Sequence, residues 1–327
     1  MTLILTTLVR ERLHPADVFG VRPARDAVRA ARLTFRGDPH TPRSRFDATA
    51  LRQLQPGLSL ATWIGLRRAD GLVPVLNYFN RVQTPPELGW SVRVTQVRDF
   101  RGGGATYDSH NGTDLVVPVG TTVVASAPGR VVRVSNEWNR GGLKVVLDHG
   151  DGLLTMCNHL ARALVREGDL VRRGDPIALS GASGVDALLL FPWNTPHVHF
   201  NVWLDGVPVD PFAGPGEVPI FRDNEAVRGA SGDGGEAQPP LDAIDDDAVA
   251  HTIAGCVDPR LSAALAAIPD ARARAFATMF HANYYPTRFP RSPRLYREAH
   301  ARAPRLDLPF RLEDAKGVAH RAAPARG

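Results

Sequence analysis

The stretch HVHFNVWLDG, residues 197–206, alternates polar and apolar side chains and ends in an Asp-Gly pair. Alternation over this length predicts a β-strand, because successive side chains on a strand point to opposite faces of the sheet. On such a strand His197 and His199 line one face, while Val198 and Phe200 pack on the other. The stretch therefore predicts a strand with one apolar face and one face that carries two imidazoles.

A pattern of short apolar runs extends toward the N-terminus from this strand. Short Val-rich runs broken by Gly and Pro recur between residues 96 and 214, among them TDLVVPVG (113–120), RVVRVS (130–135) and LKVVLDHG (143–150). Closely spaced short strands with turn residues between them are typical of an all-β sandwich or barrel. We therefore predict a mainly β domain over residues 96–214.

The segments on either side of this domain have other patterns. Residues 1–95 mix helical and extended patterns and predict an α/β segment of unknown role. Residues 215–247 are rich in Gly, Pro and acidic residues, which is typical of a linker, and we expect residues 225–247 to be poorly ordered. Residues 248–327 predict an Ala-rich helical segment followed by an Arg- and Pro-rich tail that is either loosely packed or lies along the surface.

The composition limits the classes of partner. Among 327 residues, 39 Lys and Arg stand against 34 Asp and Glu, a net charge of +5, but the arginines are scattered and lack interleaved aromatic residues. This pattern does not predict a nucleic-acid-binding protein. The longest apolar run near the N-terminus, LILTTLV, is too short to span a bilayer, and no export signal is legible. Cys157 and Cys256 are too few for a disulfide framework.

A histidine and an aspartate stand together at the start of one predicted strand. The stretch SHNGTDLVVPVG, residues 109–120, places His110 and Asp114 four positions apart. Taken alone, such a pair at a loop-to-strand junction is most often a pair of solvated turn residues. A third histidine, His159, ends another apolar run in the same predicted domain, so the pair is considered together with the other histidines.

Catalytic zinc sites use three N or O ligands from the protein and keep a fourth position open for water. His110, Asp114 and one member of the pair His197 and His199 meet this requirement. A zinc ion held there would lower the pKa of its water toward about 7 and polarise a carbonyl oxygen. The remaining histidines could handle protons or a developing oxyanion. Strand geometry alone leaves open which histidine of the pair binds the metal.

The segment from Tyr107 to Phe212 resembles the catalytic domain of lysostaphin-type (LytM-like) zinc metallopeptidases, which cut peptide bonds in bacterial peptidoglycan. The family's His-x-x-x-Asp motif falls on His110 and Asp114. Its other motifs match, in the same order, GTTVVASAPGRVV (120–132), VVLDHGDGLLTMCNHL (145–160), VREGDLVRRGDPIALSG (165–181) and HVHFNVWLDGVPVDP (197–211). Several separated motifs in the right order make this resemblance specific, whereas one of them alone would be weak.

The resemblance implies roles for individual residues. His110, Asp114 and His199 would be the zinc ligands, and His159 and His197 would flank the water and the transition state. It also implies an antiparallel β sandwich of the duplicated-hybrid-motif type, peptidoglycan peptides as substrate, and a location outside the cytoplasm, in the cell envelope or secreted.

Some positions depart from the family pattern. Cys157 stands where the family usually has tyrosine, and Asn201 stands where it usually has glutamate. His149 lies in a family motif but is interpreted as a turn histidine. The loop before the last strand, residues 181–196, is longer than the family's and strongly apolar. It could form a wall of the substrate groove or pack onto the core or the N-terminal segment; its large apolar residues are Leu188, Leu189, Leu190, Phe191 and Trp193.

Three functions are compatible with these observations. The first is a zinc endopeptidase that acts on peptidoglycan, which the complete ligand set favours. The second is a non-catalytic LytM-like module that binds and regulates a cell-wall hydrolase, but such modules typically lack a ligand and none is missing here. The third is a cytosolic zinc peptidase or amidase on another peptide, motivated by the lack of a legible export signal. The oligomeric state is not predicted.

Overall fold

The computed structural model describes residues 13–82, 84–94, 99, 101–224, 226–232, 235–290 and 294–321, together with the backbone of Leu3–Leu5. The helices are α1 (Pro15–Val18), α2 (Ala24–Arg36), α3 (Pro56–Trp63), α4 (Val185–Leu189), α5 (Asp246–Ala254), α6 (Pro259–Ala266) and α7 (Ala271–Tyr284). The strands are β1 (Leu3–Leu5), β2 (Leu66–Arg68), β3 (Leu72–Pro74), β4 (Thr113–Val116), β5 (Thr122–Val124), β6 (Gly129–Glu137), β7 (Gly142–Asp148), β8 (Leu153–Ala163), β9 (Leu170–Val171), β10 (Pro176–Ser180), β11 (His197–Leu204), β12 (Val207–Val209), β13 (Gly229–Ala230), β14 (Leu308–Arg311) and β15 (Gly317–Ala319).

Strands β4 to β12 form a nine-stranded antiparallel sheet. Its main path follows the order β12-β11-β8-β7-β6-β9, with β4 on β11 and with β10 joining β8 to β5. The antiparallel β class predicted for this segment is confirmed. All nine strands belong to one hydrogen-bonded network, and the sandwich arrangement stays a prediction.

Strand β11 has the alternation that its sequence predicts. Val198 and Phe200 are fully buried in the main apolar core, and His197 and His199 lie on the opposite face. In the ladder between β4 and β11, His199 lies directly opposite Asp114. Because cross-strand partners project from the same face, this register brings the carboxylate beside the two imidazoles.

The C-terminal segment is helical only in its first part. Helices α5 to α7 pack against the sheet through a second apolar core, in which Phe280 and its neighbours cover Trp203. Prolines follow α7, and a residue without a backbone N–H cannot continue a helix. Beyond them, Leu308 and Phe310 of β14 are fully buried in the main apolar core, so this part of the tail is not loosely packed. No helix in the described part of the chain combines the length and apolarity needed to cross a bilayer.

The N-terminal segment contains helices and strands and is joined to the other segments. Strand β3 pairs in parallel with β15 of the tail. The indole Nε1 of Trp63 in α3 donates to the carbonyl of Asn194 at 3.0 Å, and the hydroxyl of Ser59 donates to the carbonyl of Pro192 at 2.7 Å. These contacts place α3 against the apolar loop that precedes β11.

The acidic, Gly- and Pro-rich segment makes specific contacts where the structure describes it. Strand β13 pairs in parallel with β14. Glu236 forms an ion pair with Arg173, with oxygen–nitrogen distances of 2.6 and 2.8 Å, and the carboxylate of Asp242 accepts two backbone N–H groups of the β7–β8 turn. We expected residues 225–247 to be poorly ordered, and for these packed positions that expectation is wrong. The division of the chain into domains stays a prediction.

Candidate metal centre

His110, Asp114 and His199 meet where the start of β4 lies beside β11. His110 Nε2 is 3.0 Å from Asp114 Oδ1 and 3.2 Å from His199 Nδ1, and the last two atoms are 2.8 Å apart. All three residues are buried. The structure thus brings together the three predicted ligands, as a group of donor atoms that could hold one metal ion. That group contains His199 and not His197.

The hydrogen bonds of the two imidazoles define which nitrogen faces the centre. His110 Nδ1 lies 2.6 Å from the carbonyl oxygen of Tyr78, so Nδ1 carries the proton and Nε2 presents a lone pair. His199 Nε2 lies 3.2 Å from the side-chain oxygen of Asn111, so Nε2 carries the proton and Nδ1 presents a lone pair. Two neutral imidazole acceptors and a carboxylate oxygen therefore point at one another.

Three acceptors in mutual contact repel unless a cation lies between them, and this donor set fits zinc. Ligand nitrogens and oxygens lie about 2.0–2.2 Å from a tetrahedral zinc ion and are therefore about 3.3 Å from one another. The observed separations of 2.8–3.2 Å need only a small opening of the triangle. The roles of the three residues as ligands stay a prediction.

The second oxygen of Asp114 is held from the N-terminal segment. Asn77 Nδ2 donates to Asp114 Oδ2 at 2.8 Å, which leaves Oδ1 directed at the histidines. Burial alone would raise the pKa of Asp114, but the electrostatic attraction of the nearby His110 and His197 holds this pKa well below its usual range. The carboxylate is therefore ionised and oriented as a metal ligand requires.

Asn201, the departure from the family's usual glutamate, belongs to a chain of amides that ends on His199. Its Nδ2 donates to the backbone and side-chain oxygens of Asn111 at 2.6 and 3.0 Å, and its Oδ1 accepts from Asn158 at 2.6 Å. Asn111 in turn accepts from His199 Nε2. Asn201 thus orients the group that sets the tautomer of His199, so the substitution is compatible with metal binding.

His159 and His197 lie beside the three acceptors. Their ring centroids are 4.7 Å apart, and the ring of His159 is 6.1 Å from that of His199. His197 Nε2 is 3.5 Å from Asp114 Oδ1. Each ring has its Nδ1 at 2.7 Å from a backbone carbonyl, that of Ser183 for His159 and that of Thr195 for His197. In both rings Nε2 is therefore the nitrogen that can exchange a proton at the centre.

The backbone around His159 is shaped to present its ring. His159 has φ of 59°, in the left-handed region that few residues other than glycine adopt. Its N–H donates to the carbonyl of Gly141 at 2.8 Å, and its own carbonyl accepts from Gly181. Ser183, which receives the imidazole N–H, also accepts from the amide of Leu143 through its hydroxyl. The β6–β7 turn and the 181–184 loop thus hold this unusual conformation.

Burial sets the protonation of the site. It lowers the pKa of His199 to about 4, against the attraction of the Asp114 carboxylate. It also lowers the pKa of His159, against the attraction of Asp186. Both imidazoles are therefore neutral near pH 7. Burial raises the pKa of the Cys157 thiol, so this residue is a protonated core group rather than a nucleophile or a ligand.

Two adjoining cavities, which share Trp90, Tyr107 and Asp186, form a groove beside the centre. On the His197 side is a cavity of about 360 Å³ whose apolar lining includes Phe46, Leu51, Leu54, Leu76, Trp90, Val92, Leu189, Leu190 and Trp193. On the His159 side is a smaller cavity of about 90 Å³, lined among others by Trp90, Tyr107, Asn139, Arg140, Asp186, Asn283 and Tyr284. The flanking segments therefore supply much of the groove.

The apolar loop before β11 contacts the N-terminal segment and also lines the larger cavity. Phe191 packs edge-on against Trp63 and Phe19 of the N-terminal segment, with centroid distances of 5.0 and 5.6 Å. Trp193 and Leu190 line the larger cavity. Phe191 thus packs the loop against the N-terminal segment, and Leu190 and Trp193 form part of the wall of the groove.

Several residues that contribute to this site were not recognised from the sequence. Asn77 and Trp90 belong to a segment without a recognisable motif, and their approach to the centre depends on long-range packing. Asn111 is adjacent to a predicted ligand inside the His-x-x-x-Asp motif, and its position could have marked it. Arg140 follows a turn-like stretch that the sequence does not link to His159.

Comparisons with known proteins converge on the same segment. The family model described as Peptidase family M23 matches residues 108–211. Peptidoglycan DD-endopeptidase ShyA of Vibrio cholerae is 39% identical over 101 residues, which are 31% of this chain and 22% of ShyA. Murein hydrolase activator NlpD of Salmonella dublin is 32% identical over 108 residues, 33% of this chain and 26% of NlpD. The chain spans about a fifth of the length of the first curated relatives that it matches.

Among solved structures, the catalytic domain of lysostaphin from Staphylococcus simulans is 29% identical. The similarity covers 32% of this chain and 76% of that chain, with a TM-score of 0.28. The family-model match covers the described site, from the His-x-x-x-Asp motif to the strand that carries His197 and His199. Residues 108–211 of this chain are therefore a domain of peptidase family M23, the family of the lysostaphin-type metallopeptidases.

Proposed function

We propose that the chain is a zinc-dependent endopeptidase that hydrolyses peptide bonds in peptidoglycan. The observation that carries the proposal is the convergence of His110 Nε2, Asp114 Oδ1 and His199 Nδ1 beside two more histidines in one groove. The M23 match and the similarity to ShyA, a peptidoglycan DD-endopeptidase, support the reaction and the substrate. Action on this polymer would place the protein in the cell envelope or outside the cell.

Zinc bound to His110, Asp114 and His199 would supply a Lewis acid that polarises a peptide carbonyl and acidifies a water molecule. His159 is neutral near pH 7, because burial lowers its pKa, and its Nε2 can accept a proton from the nucleophile. His197, whose Nδ1 donates to the carbonyl of Thr195, can in its doubly protonated form deliver a proton or a hydrogen bond from Nε2 to the developing oxyanion or the leaving amine.

The larger cavity would select the peptide beside the scissile bond. Its lining is mostly apolar, and it adjoins His197 and Asp114. Trp193 and Leu190 from the loop face residues of the N-terminal segment across this cavity. A nonpolar side chain of the substrate would therefore bind there, on the His197 side of the centre.

A regulatory role without catalysis is the second candidate. The similarity to NlpD, a murein hydrolase activator, motivates it. The presence of all three predicted ligands and both flanking histidines favours catalysis, because an activator would not need buried acceptors in mutual contact.

The test uses purified full-length protein, stripped of metal and reloaded with one equivalent of zinc. Incubation with isolated peptidoglycan, followed by mass spectrometry of the released peptides, should show new amino termini that depend on zinc. Asp114→Asn should lose both zinc and cleavage, whereas Asp247→Asn, at an exposed position in α5, should keep both. Zinc-loaded protein that forms no new termini but stimulates a separate cell-wall hydrolase would establish the regulatory role instead.

A further inference from the structure

The side chain of Arg140 is a cation that lines the smaller cavity. It follows β6 in the turn to β7, and its guanidinium lies 5.5 Å from the ring centroid of Trp90. Its Nη1 donates to the hydroxyl of Ser44 at 3.2 Å. Within the described part of the chain, no carboxylate forms an ion pair with Arg140. The neighbouring Glu137 is already bound to Arg133 and Lys144.

The position of Arg140 is tied to the proposed catalytic histidine. The carbonyl of the next residue, Gly141, accepts the backbone N–H of His159 at 2.8 Å. The cavity of about 90 Å³ is lined by Arg140, His159 and His199 together. An anionic group bound by Arg140 would therefore lie within a short peptide's reach of the metal centre.

The surroundings of Arg140 favour an anion in this cavity. Burial lowers the pKa of its guanidinium, yet an arginine remains charged at any physiological pH. A partly buried charge without a counter-ion is costly, and the interaction with the Trp90 ring and one hydroxyl compensates only part of that cost. Asp186, the acidic residue that lines the same cavity, acts on His159 and forms no ion pair with Arg140.

We propose that Arg140 binds a carboxylate of the substrate peptide on the His159 side of the scissile bond. The inference rests on the proposed peptidase function and names its substrate class: peptides with a free carboxylate one or two residues from the bond that is cut. The larger, apolar cavity is a separate space lined by His197 and Asp114. The two cavities would therefore bind a nonpolar group and an acidic group of the same peptide. The planar guanidinium suits this role, because it can donate two parallel hydrogen bonds to a carboxylate.

The experiment compares two synthetic peptides of peptidoglycan stem sequence that differ only in one group, a free carboxylate or the corresponding carboxamide. Binding to the full-length protein is measured by calorimetry and by the tryptophan fluorescence that Trp90 contributes, and cleavage is measured in parallel. The wild-type protein should bind the carboxylate peptide at least about tenfold more tightly than the carboxamide peptide. Arg140→Gln should remove this preference, and Arg140→Lys should keep part of it.

Arg172→Gln, at an exposed position away from the groove, is the matched control and should keep the full preference. Thermal unfolding of each variant establishes that it is folded. A preference that survives in Arg140→Gln, an equal loss for both peptides, or no binding of either peptide by the wild-type protein would overturn the inference. Preferential binding without cleavage would uphold it and refute the proposed hydrolysis. Equal binding and equal cleavage of both peptides would refute the inference and uphold the proposed hydrolysis.

Discussion

Asp114 and His199 are direct partners across the antiparallel strands β4 and β11, and their Oδ1 and Nδ1 atoms are 2.8 Å apart. A slip of one residue in this ladder would turn one of the two side chains to the other face of the sheet. The opposite face of β11 carries Val198 and Phe200, both fully buried, so such a slip would also expose apolar core. The packing of the core therefore specifies the geometry of the candidate metal centre.

Replacement of Asp114 should abolish high-affinity zinc binding. Asp114→Ala removes one of three ligands and leaves the amide of Asn77 without its acceptor. We expect the affinity for zinc to fall by more than about a hundredfold, since even the loss of an outer hydrogen-bonding partner typically costs 10–100-fold. Competition with a chromophoric chelator measures it. Retention of tight, stoichiometric zinc would contradict the assignment of this ligand.

Replacement of His159 should separate catalysis from metal binding. His159→Ala leaves all three predicted ligands in place, so zinc content should equal that of the wild-type protein. The cleavage rate should fall by about 10²–10⁴-fold, the usual contribution of a general acid or base. Metal analysis and steady-state kinetics on the same preparation measure both quantities. A parallel loss of zinc would show that His159 supports the metal centre instead of moving protons.

The amide chain that reaches His199 should affect zinc affinity without contacting the metal. Asn201→Ala removes two hydrogen bonds to Asn111, the acceptor of His199 Nε2–H. We expect zinc affinity to fall by about 10–100-fold while the fold is kept. Zinc titration with circular dichroism as the folding control measures this effect. An unchanged affinity would mean that Asn111 is held by its backbone alone.

The loop before β11 should yield two different phenotypes. Trp193→Ala removes part of the cavity wall and should change which peptides are cut, with zinc content unchanged. Phe191→Ala removes the contacts with Phe19 and Trp63 and should lower the free energy of unfolding by about 1–2 kcal/mol. Cleavage of a peptide panel and chemical denaturation distinguish the two. A Trp193→Ala protein that cuts every peptide like the wild type would remove the support for a role in selectivity.

The stability of the metal-free protein should depend on His149. Burial lowers the pKa of this residue to about 4 in the folded state, below its ordinary value of 6.5, although its Nδ1 lies 2.8 Å from the carbonyl of Pro128. The folded state therefore binds fewer protons than the unfolded state between these values. The free energy of unfolding is therefore highest above pH 6.5. It falls by roughly 3 kcal/mol in total as the pH drops from 6.5 toward 4, because the unfolded state binds a proton that the buried imidazole does not.

His149→Gln should be less stable at pH 7 but should lose less of its stability on acidification. Urea unfolding between pH 7.5 and 4.5, in the presence of a chelator, compares the two proteins. Parallel curves for the wild-type protein and the variant would contradict the expected role of His149.

The sequence pattern predicted the features that depend only on neighbouring residues in the chain. Alternation in residues 197–206 was sufficient for strand β11 and for the common face of His197 and His199. Neither spacing nor alternation could select His199 as the ligand, because that choice depends on which neighbouring strand brings in Asp114 and at which register. The family resemblance supplied the assignment that strand geometry left open.

Apart from the loop before β11, the walls of the groove could not be predicted, because they are made by distant segments. Trp63 and Asn194 are 131 positions apart in sequence but share a hydrogen bond beside the cavity. For the acidic segment, residues 215–247, the sequence predicted less ordered structure than is present at the described positions. Its composition is typical of a mobile linker, but composition does not include long-range partners such as Arg173, which binds Glu236.

The parallel pairing of β3 with β15 connects the segment that precedes the M23 domain with the segment that follows it. The N-terminal segment supplies Asn77 and Trp90 to the groove, and the C-terminal segment supplies Asn283 and Tyr284. The two flanks are thus joined to each other as well as to the groove. A chimera that exchanges only one flank would leave β3 or β15 without its partner strand, so functional exchange would require both flanks to be transferred together.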